Sequence, residues 1–205
     1  MLVAGVLPGV NSYNAAISAC FNGKQPHEAL RVYDKMRTSG VKADISTYRT
    51  LVDGLQAAGL EQQADTIYAM AVNVGILQHW ATKQRNAGML DLHDFTTGLV
   101  MAAMRSVLRD MVKQHEIIAT DSSKQPADGL LTSGYVHDPS KDLHIITGHA
   151  QNRANKQGST LQPVITGMLS KLDIECSINP RNKGELIVAS KQLQQYIARQ
   201  RESTQ

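Results

Sequence analysis

Cysteine is nearly absent. Cys20 and Cys176 are the only two in 205 residues, which excludes a disulfide framework and a paired-cysteine zinc site and makes a reduced compartment the default. Long hydrophobic runs are missing too. The longest, around Ile67 to Leu77, is broken by Asn73, so no segment approaches the roughly 18 apolar residues that mark a transmembrane helix. The opening MLVAGVLPGV carries no basic stretch and no small-residue cleavage site and does not read as a signal peptide. Nor does charge of one sign dominate, the net charge being +3. Its distribution is uneven: residues 10–79 hold six Lys/Arg against six Asp/Glu, and residues 141–205 hold nine against five. That bias points a polyanionic partner toward the last third, with an ordinary solvated surface as the competing reading. At 42% hydrophobic and 19% charged the composition is that of a folded chain, long enough for about one to two domains with a sizeable core.

What is present is a period. Tyr13 and Tyr48, Ala29 and Ala64, Tyr33 and Tyr68, and the series Gly5, Gly40 and Gly75 are each spaced by 35, with Val6, Val41 and Ile76 following the glycines and Met1 falling 35 before Met36. A fixed period of this size is the signature of a repeat architecture. Within one period Ala29, Leu30, Tyr33 and Met36 recur at helical spacing, the buried stripe of an amphipathic helix. Pro26 suits the first turn of that helix and Gly40 the position just past its end. A hairpin of two helices cannot bury its own face, so stacked copies share a core and form an α-solenoid with one concave surface. The chain begins inside a repeat, and its N-terminus is expected to be incomplete.

The segment VNSYNAAISACFNGKQPHEALRVYDKMRTSGVKAD resembles a pentatricopeptide repeat. Residues 10–44 form one copy, 45–79 a less regular second, and 1–9 a remnant of a preceding one. A tetratricopeptide-like binding solenoid, with its period of about 34 residues, is the competing architecture. The resemblance implies binding of single-stranded RNA, about one base per repeat. In that family the residue after the first helix's tyrosine and the last residue of the repeat select the base. Here these are Asn14 and Asp44, a pair that favours uridine in the family; both side chains can hydrogen-bond a Watson–Crick edge. The second copy carries Arg49 and His79 instead, which departs from the family's pairs, although Arg49 could stack on a base or pair a phosphate.

Beyond Gln78 the period stops, and residues 80–88 read as a linker. Leu99, Ala102, Ala103, Val107, Leu108 and Met111 mark a helix to about Gln114, with Thr96 or Thr97 available as its cap. Residues 119–142 read as a polar insertion. A strand at LHIIT (143–147), a helix carrying Val164, Ile165, Met168 and Leu169, strands DIECSI and GELIVA joined by the turn NPRNKG, and a final helix capped by Ser190 complete the order βαβαββα. That order makes residues 89–201 an α/β or α+β two-layer domain with a small mixed sheet.

LDLH at 90–93, TGHA at 147–150 and NKGEL at 182–186 together resemble the small MutS-related, or Smr, domain. That family is similar in fold to the C-terminal domain of bacterial translation initiation factor three, and its members nick or cut DNA or RNA. The resemblance implies a site at Asp91, His93, Gly148 and His149. Asp91 could orient the imidazole or hold a divalent metal such as Mg2+. A neutral His93 could take a proton from water or a ribose hydroxyl, and Gly148 would let backbone N–H groups approach a phosphate, with His149 beside it. The alternative is a structural Asp91–His93 pair that meets no substrate, and His144 reads as a satisfied strand residue. The family's glycine loop is TGxG, yet position 150 is alanine, and Asp94 stands where many members have glycine. Arg153, Lys156, Arg181 and Lys183 are candidate contacts to the RNA backbone.

The combined resemblance implies an organellar protein, of chloroplast or mitochondrion, in which repeats position single-stranded RNA and an Smr domain cuts or grips it during RNA processing. A non-catalytic RNA stability or translation factor and a DNA-nicking endonuclease are the alternatives, DNA being the weaker partner. No membrane partner is indicated, and the oligomeric state is left open.

Overall fold

The computed structural model describes residues 8–77, 88–120, 137–148 and 160–203. The chain divides into two units, Met1–Leu77 and Gln78–Gln205. His79, His149, Ala150, Arg153 and Lys156, most of the remnant repeat, nearly all of the linker and residues 121–136 lie outside the described residues.

The first unit is two helix hairpins: α1 (Val10–Asn22) with α2 (Pro26–Thr38), and α3 (Ile45–Ala57) with α4 (Glu61–Asn73). The 35-residue period has a structural cause at the helix ends. Each helix closes in the same motif, with the N–H of the second residue past the cap donating back five residues: Gln25 to Cys20, Val41 to Met36, Leu60 to Leu55 and Ile76 to Ala71. This Schellman geometry needs one residue in the left-handed region. Gly40, Gly59 and Gly75 fill it at φ +74°, +75° and +84°, whereas the first helix uses Lys24 at φ +55°. Pro26 occupies the first turn of α2, where its missing N–H costs nothing.

Burial follows the helical stripes. Tyr13 and Ile17, Ala29, Tyr33 and Met36, Tyr48, Leu51, Val52 and Leu55, and Ala64, Ile67, Tyr68 and Ala71 form the core, each large side chain contributing about 1.5–3 kcal/mol of transfer free energy. The hairpins are stitched by Tyr33, whose hydroxyl donates to that of Tyr48 at 3.3 Å with the rings edge-to-face at 6.1 Å. Burial, then the Tyr48 contact, push the Tyr33 hydroxyl far above the usual phenol range.

The second unit runs β1 (Met89–Asp91), α5 (Thr97–Thr120), β2 (Leu143–Ile146), α6 (Leu161–Ser170), β3 (Ser177–Asn179), β4 (Asn182–Val188) and α7 (Ser190–Glu202). The sheet order is β1-β2-β4-β3, with β1 and β2 parallel and β4 antiparallel to both β2 and β3. It is the small mixed sheet expected from the pattern. Alternation places Leu143 and Ile145 of β2 and Leu186 and Val188 of β4 in the core with Leu90, Val107, Leu108, Ile165, Leu169, Leu193 and Ile197. The other face carries Asp91, His144, Ile146 and Glu185, none fully buried.

Three details differ from the sequence reading. Helix α5 continues to Thr120 rather than stopping near Gln114, so the polar insertion starts later. The Thr96 hydroxyl makes no hydrogen bond among the described residues, so it does not cap α5. Ser190 is the first helical residue of α7, not its cap; its backbone N–H donates to Asp142 Oδ1 at 2.8 Å, a carboxylate from just before β2 doing that work. No helix among the described residues is long and apolar enough to cross a membrane.

Candidate functional site

In the first unit the two residues read as a base-selecting pair meet. Asn14 lies at the start of the second turn of α1 and Asp44 sits just before α3, 30 residues on, yet Asn14 Nδ2 donates to Asp44 Oδ1 at 3.2 Å. Asp44 has a second task. Its Oδ1 accepts the Thr47 N–H at 2.8 Å, and its own N–H donates to Thr47 Oγ1 at 3.2 Å, a reciprocal capping box on α3. The Thr47 N–H first, and then the Asn14 amide, against some opposing burial, hold the Asp44 carboxyl below its ordinary range, so it is an anion at neutral pH. Thr47 is fully buried, and its hydroxyl lies 2.6 Å from Asn14 Oδ1. The sequence reading missed Thr47, although the spacing Asp-x-x-Thr before an apolar helix is a legible cap signal.

Arg49 stands one period after Asn14 and is exposed on α3. One turn further along the same two helices, Ser18 and Asp53 line a cleft of about 780 Å3 with Phe21, Lys24 and Thr50. Phe21 packs its ring on Gly54, where a Cβ would overlap it.

In the second unit the LDLH element, the Thr147–Gly148 turn and the β3–β4 turn converge at one end of the sheet. Asp91 pairs with Ile146 in the parallel ladder, Leu92 N–H donates to Ile146 O at 2.8 Å, and Thr147 N–H donates to Gly184 O at 2.8 Å. The C-terminal ends of two parallel strands are thus brought beside the start of β4, a common location for ligand sites in sheets with helical crossovers. Gly184 is required there: a Cβ would overlap the Gly148 carbonyl oxygen, and the Thr147 hydroxyl donates to the Gly184 carbonyl at 3.0 Å.

Spaced by two, Asp91 and His93 would share one face of a strand, and they do come together, but β1 ends at Asp91. The chain turns instead. Asp91 Oδ1 accepts the His93 backbone N–H at 3.3 Å and faces His93 Nδ1 at 2.5 Å. His93 Nε2 in turn faces Asp94 Oδ2 at 3.0 Å, with the Asp94 side chain 85% exposed. Both ring nitrogens therefore point at carboxylates, and the ring can donate to both only when doubly protonated. Arg181 and Lys183 are exposed in and just after the β3–β4 turn, at the same sheet end. Among the described residues no group of three or more His, Cys, Asp or Glu side chains is arranged to hold a metal. Asp91 Oδ1 is engaged with His93, and the Asp94 carboxylate stands on the other side of the ring.

His144, on the open sheet face, faces Glu185 Oε1 at 2.6 Å through Nδ1. Glu185 Oε2 accepts from Asn179 at 2.9 Å and Asn182 at 3.2 Å. Partial burial raises the Glu185 carboxyl, but the His144, Asn179 and Asn182 contacts together leave it below its ordinary range. The expectation of a satisfied strand histidine holds, with a partner 41 residues away that no local pattern could reveal.

Residues 8–56 match the PPR repeat family. The match spans the first hairpin and nearly all of α3. A putative mitochondrial pentatricopeptide repeat-containing protein of Arabidopsis thaliana is 30% identical over 67 residues, 33% of this chain and 11% of that protein. A second pentatricopeptide repeat-containing protein of the same plant is 32% identical over 92 residues, 42% of this chain and 14% of that protein. The chain thus spans about an eighth of the length of these relatives. The family match and both relatives support a pentatricopeptide repeat protein, and the helix hairpins are of the kind such a solenoid stacks.

Proposed function

We propose that this chain binds single-stranded RNA through its helix hairpins, with Asn14 and Asp44 reading one base, and that its second unit, read as an Smr domain, engages the phosphodiester backbone. The observation that carries the reading is the junction, at 3.2 Å, of Asn14 on the first helix of the repeat with Asp44, the repeat's last residue. Of the two amide protons of Asn14, one is used inside the protein and the other is left for a ligand, in a half-buried setting where a hydrogen bond discriminates more than it does in water. One relative is named a mitochondrial protein, which supports an organellar setting; mitochondrion or chloroplast, with a place in RNA processing, is the setting this reading assigns. Two hairpins would contact only about two to three nucleotides, so sequence selection belongs to a longer array of such units.

In the second unit, Gly148, Arg181 and Lys183 are the groups that would meet a phosphate, by backbone approach and by charge. In hydrolysis, a water adds its oxygen to phosphorus, the bond from phosphorus to the leaving ribose oxygen opens, the water's proton passes to His93 Nε2 and the leaving oxygen takes a proton from solvent. Asp91 would hold the ring through Nδ1. Asp94 must first leave Nε2, which its exposed side chain permits. As long as it stays, the unit grips RNA without cutting it, and this geometry favours gripping as the resting role. Fluorescence anisotropy with short single-stranded RNA and DNA oligonucleotides tests the binding claim. Tighter binding of RNA, weakened several-fold by Asn14→Ala, is expected; equal binding of both, unaffected by that substitution, refutes it.

A further inference from the structure

Base reading by Asn14 depends on which end of its amide faces the ligand, and here the structure adds a third residue. An asparagine side chain presents either an N–H donor or a carbonyl acceptor, and a half-turn about its last bond exchanges them. In this chain both ends are anchored, one by the last residue of its own repeat and the other from the next repeat. Nδ2 donates to Asp44 Oδ1 at 3.2 Å, and Oδ1 lies 2.6 Å from the Thr47 hydroxyl. That hydroxyl has a single proton and two acceptors in reach, Asn14 Oδ1 at 2.6 Å and Asp44 Oδ1 at 2.9 Å. Asp44 Oδ1 already accepts two other donors, the Thr47 N–H and the Asn14 amide. The proton therefore goes to the nearer and less occupied oxygen, that of Asn14, while the hydroxyl oxygen accepts the Asp44 N–H.

We infer that Thr47 is a positioning residue for base recognition: by holding Asn14 Oδ1 it fixes the amide so that the remaining Nδ2–H donor faces the base. The inference rests on the reading of Asn14 and Asp44 as an RNA-contacting pair. A fixed donor matches the carbonyl of a keto base and opposes the amino group of its counterpart. Among pyrimidines it donates to O4 of uracil and opposes N4 of cytosine, because two donors then face each other unpaired. If Thr47 lost its hydroxyl, the Asn14 oxygen would have no anchor and the amide would be held at one end only. Rotation would then let its oxygen accept from an amino base. Burial makes the lever effective: Thr47 is fully buried, so no water replaces the lost proton.

The test is an NMR titration of the full chain with the tetranucleotides U4 and C4, suited to the weak binding that a few contacts give, on wild type, Thr47→Val, Thr47→Ser and Asn14→Ala. Thr47→Val keeps the backbone N–H that Asp44 caps, and circular dichroism checks that α3 persists. Wild type is expected to prefer U4 about three- to tenfold, the worth of one hydrogen bond. That preference should fall to within about twofold in Thr47→Val and be restored in Thr47→Ser. The Asn14 side-chain amide protons, read without RNA, should shift in Thr47→Val and return to their wild-type positions in Thr47→Ser. A U4 preference undiminished in Thr47→Val overturns the inference while leaving the base-reading pair intact. Equal binding of both oligonucleotides by wild type, unchanged in Asn14→Ala, overturns the pair and the inference with it.

Discussion

Lys24 holds the position that glycine fills at the ends of the other three helices of the first unit, and replacing it should stabilise the protein. An L-residue in the left-handed region costs roughly 1–2 kcal/mol. Glycine removes that strain but loses about 0.5–1 kcal/mol through the greater freedom of the unfolded chain. The net gain for Lys24→Gly is therefore about 0.5–1 kcal/mol. The Lys24 side chain is exposed and forms no ion pair among the described residues, so little is lost with it. Hydrogen exchange followed by mass spectrometry on segments of α1 and α2 reads the change locally. Slowing by about two- to fivefold is expected where exchange follows equilibrium opening, with a rise of roughly 2–8 °C in the midpoint of this unit. The reciprocal substitution Gly59→Lys should lower stability by a similar or larger amount. If Lys24→Gly leaves exchange unchanged or speeds it while Gly59→Lys is neutral, the common helix end is not what sets the 35-residue period.

Gly184→Ala should destabilise the second unit by about 2–3 kcal/mol, because its Cβ would overlap the Gly148 carbonyl and break the Thr147 bonds to Gly184; a urea midpoint unchanged from wild type contradicts the close approach. His137 is buried, which holds its imidazole below the ordinary pKa of 6.5 although the Lys141 carbonyl and Asp138 favour the charged form. A depressed histidine contributes stability fully above the unfolded value and loses it as pH falls, so stability should decline between pH 7 and 5 by at most ~1.4 kcal/mol per pH unit. The lowered carboxylates Asp44, Asp138 and Glu185 lose their contribution only as pH falls below about 5. Urea midpoints at the two pH values check this, and His137→Gln should flatten the difference. Removing the carboxylate from His93 Nε2 by Asp94→Gly should start or speed cleavage of end-labelled RNA several-fold, in a form abolished by adding His93→Ala. No products from Asp94→Gly, with magnesium or with EDTA, leave the second unit as a grip.

The hairpins were legible because one constraint repeats: Gly40 and Gly75 mark obligatory left-handed residues, and Ala29, Tyr33 and Met36 mark a stripe that only a helix aligns. Lys24 hid the same motif in α1, since nothing in its chemistry announces a positive φ. Asn14 and Asp44 were legible as a pair through the resemblance, but Thr47 was not, because its hydroxyl bridges two repeats and its spacing signals only a cap. In the second unit the order βαβαββα could be read from turn residues and apolar runs. The His144–Glu185 pair could not, since it depends on register between strands 41 residues apart, nor could Asp94 on His93, since it needs the chain to turn after Asp91. Helix α5 outran its apolar stripe because a helix end is set by capping and competing partners, and the Gln114 region offers no stop residue.

The central claim is that Asn14 and Asp44 together read a base of single-stranded RNA. The most direct measurement is the affinity of wild type, Asn14→Ala and Asp44→Ala for one uridine-containing RNA strand and the same strand with cytidine at each uridine. Wild type should favour the uridine strand, each substitution should erase most of that preference, and the double substitution should cost little more than either alone, because the two side chains act as a unit. Two single substitutions that leave the preference intact contradict the claim, whatever the second unit does to RNA.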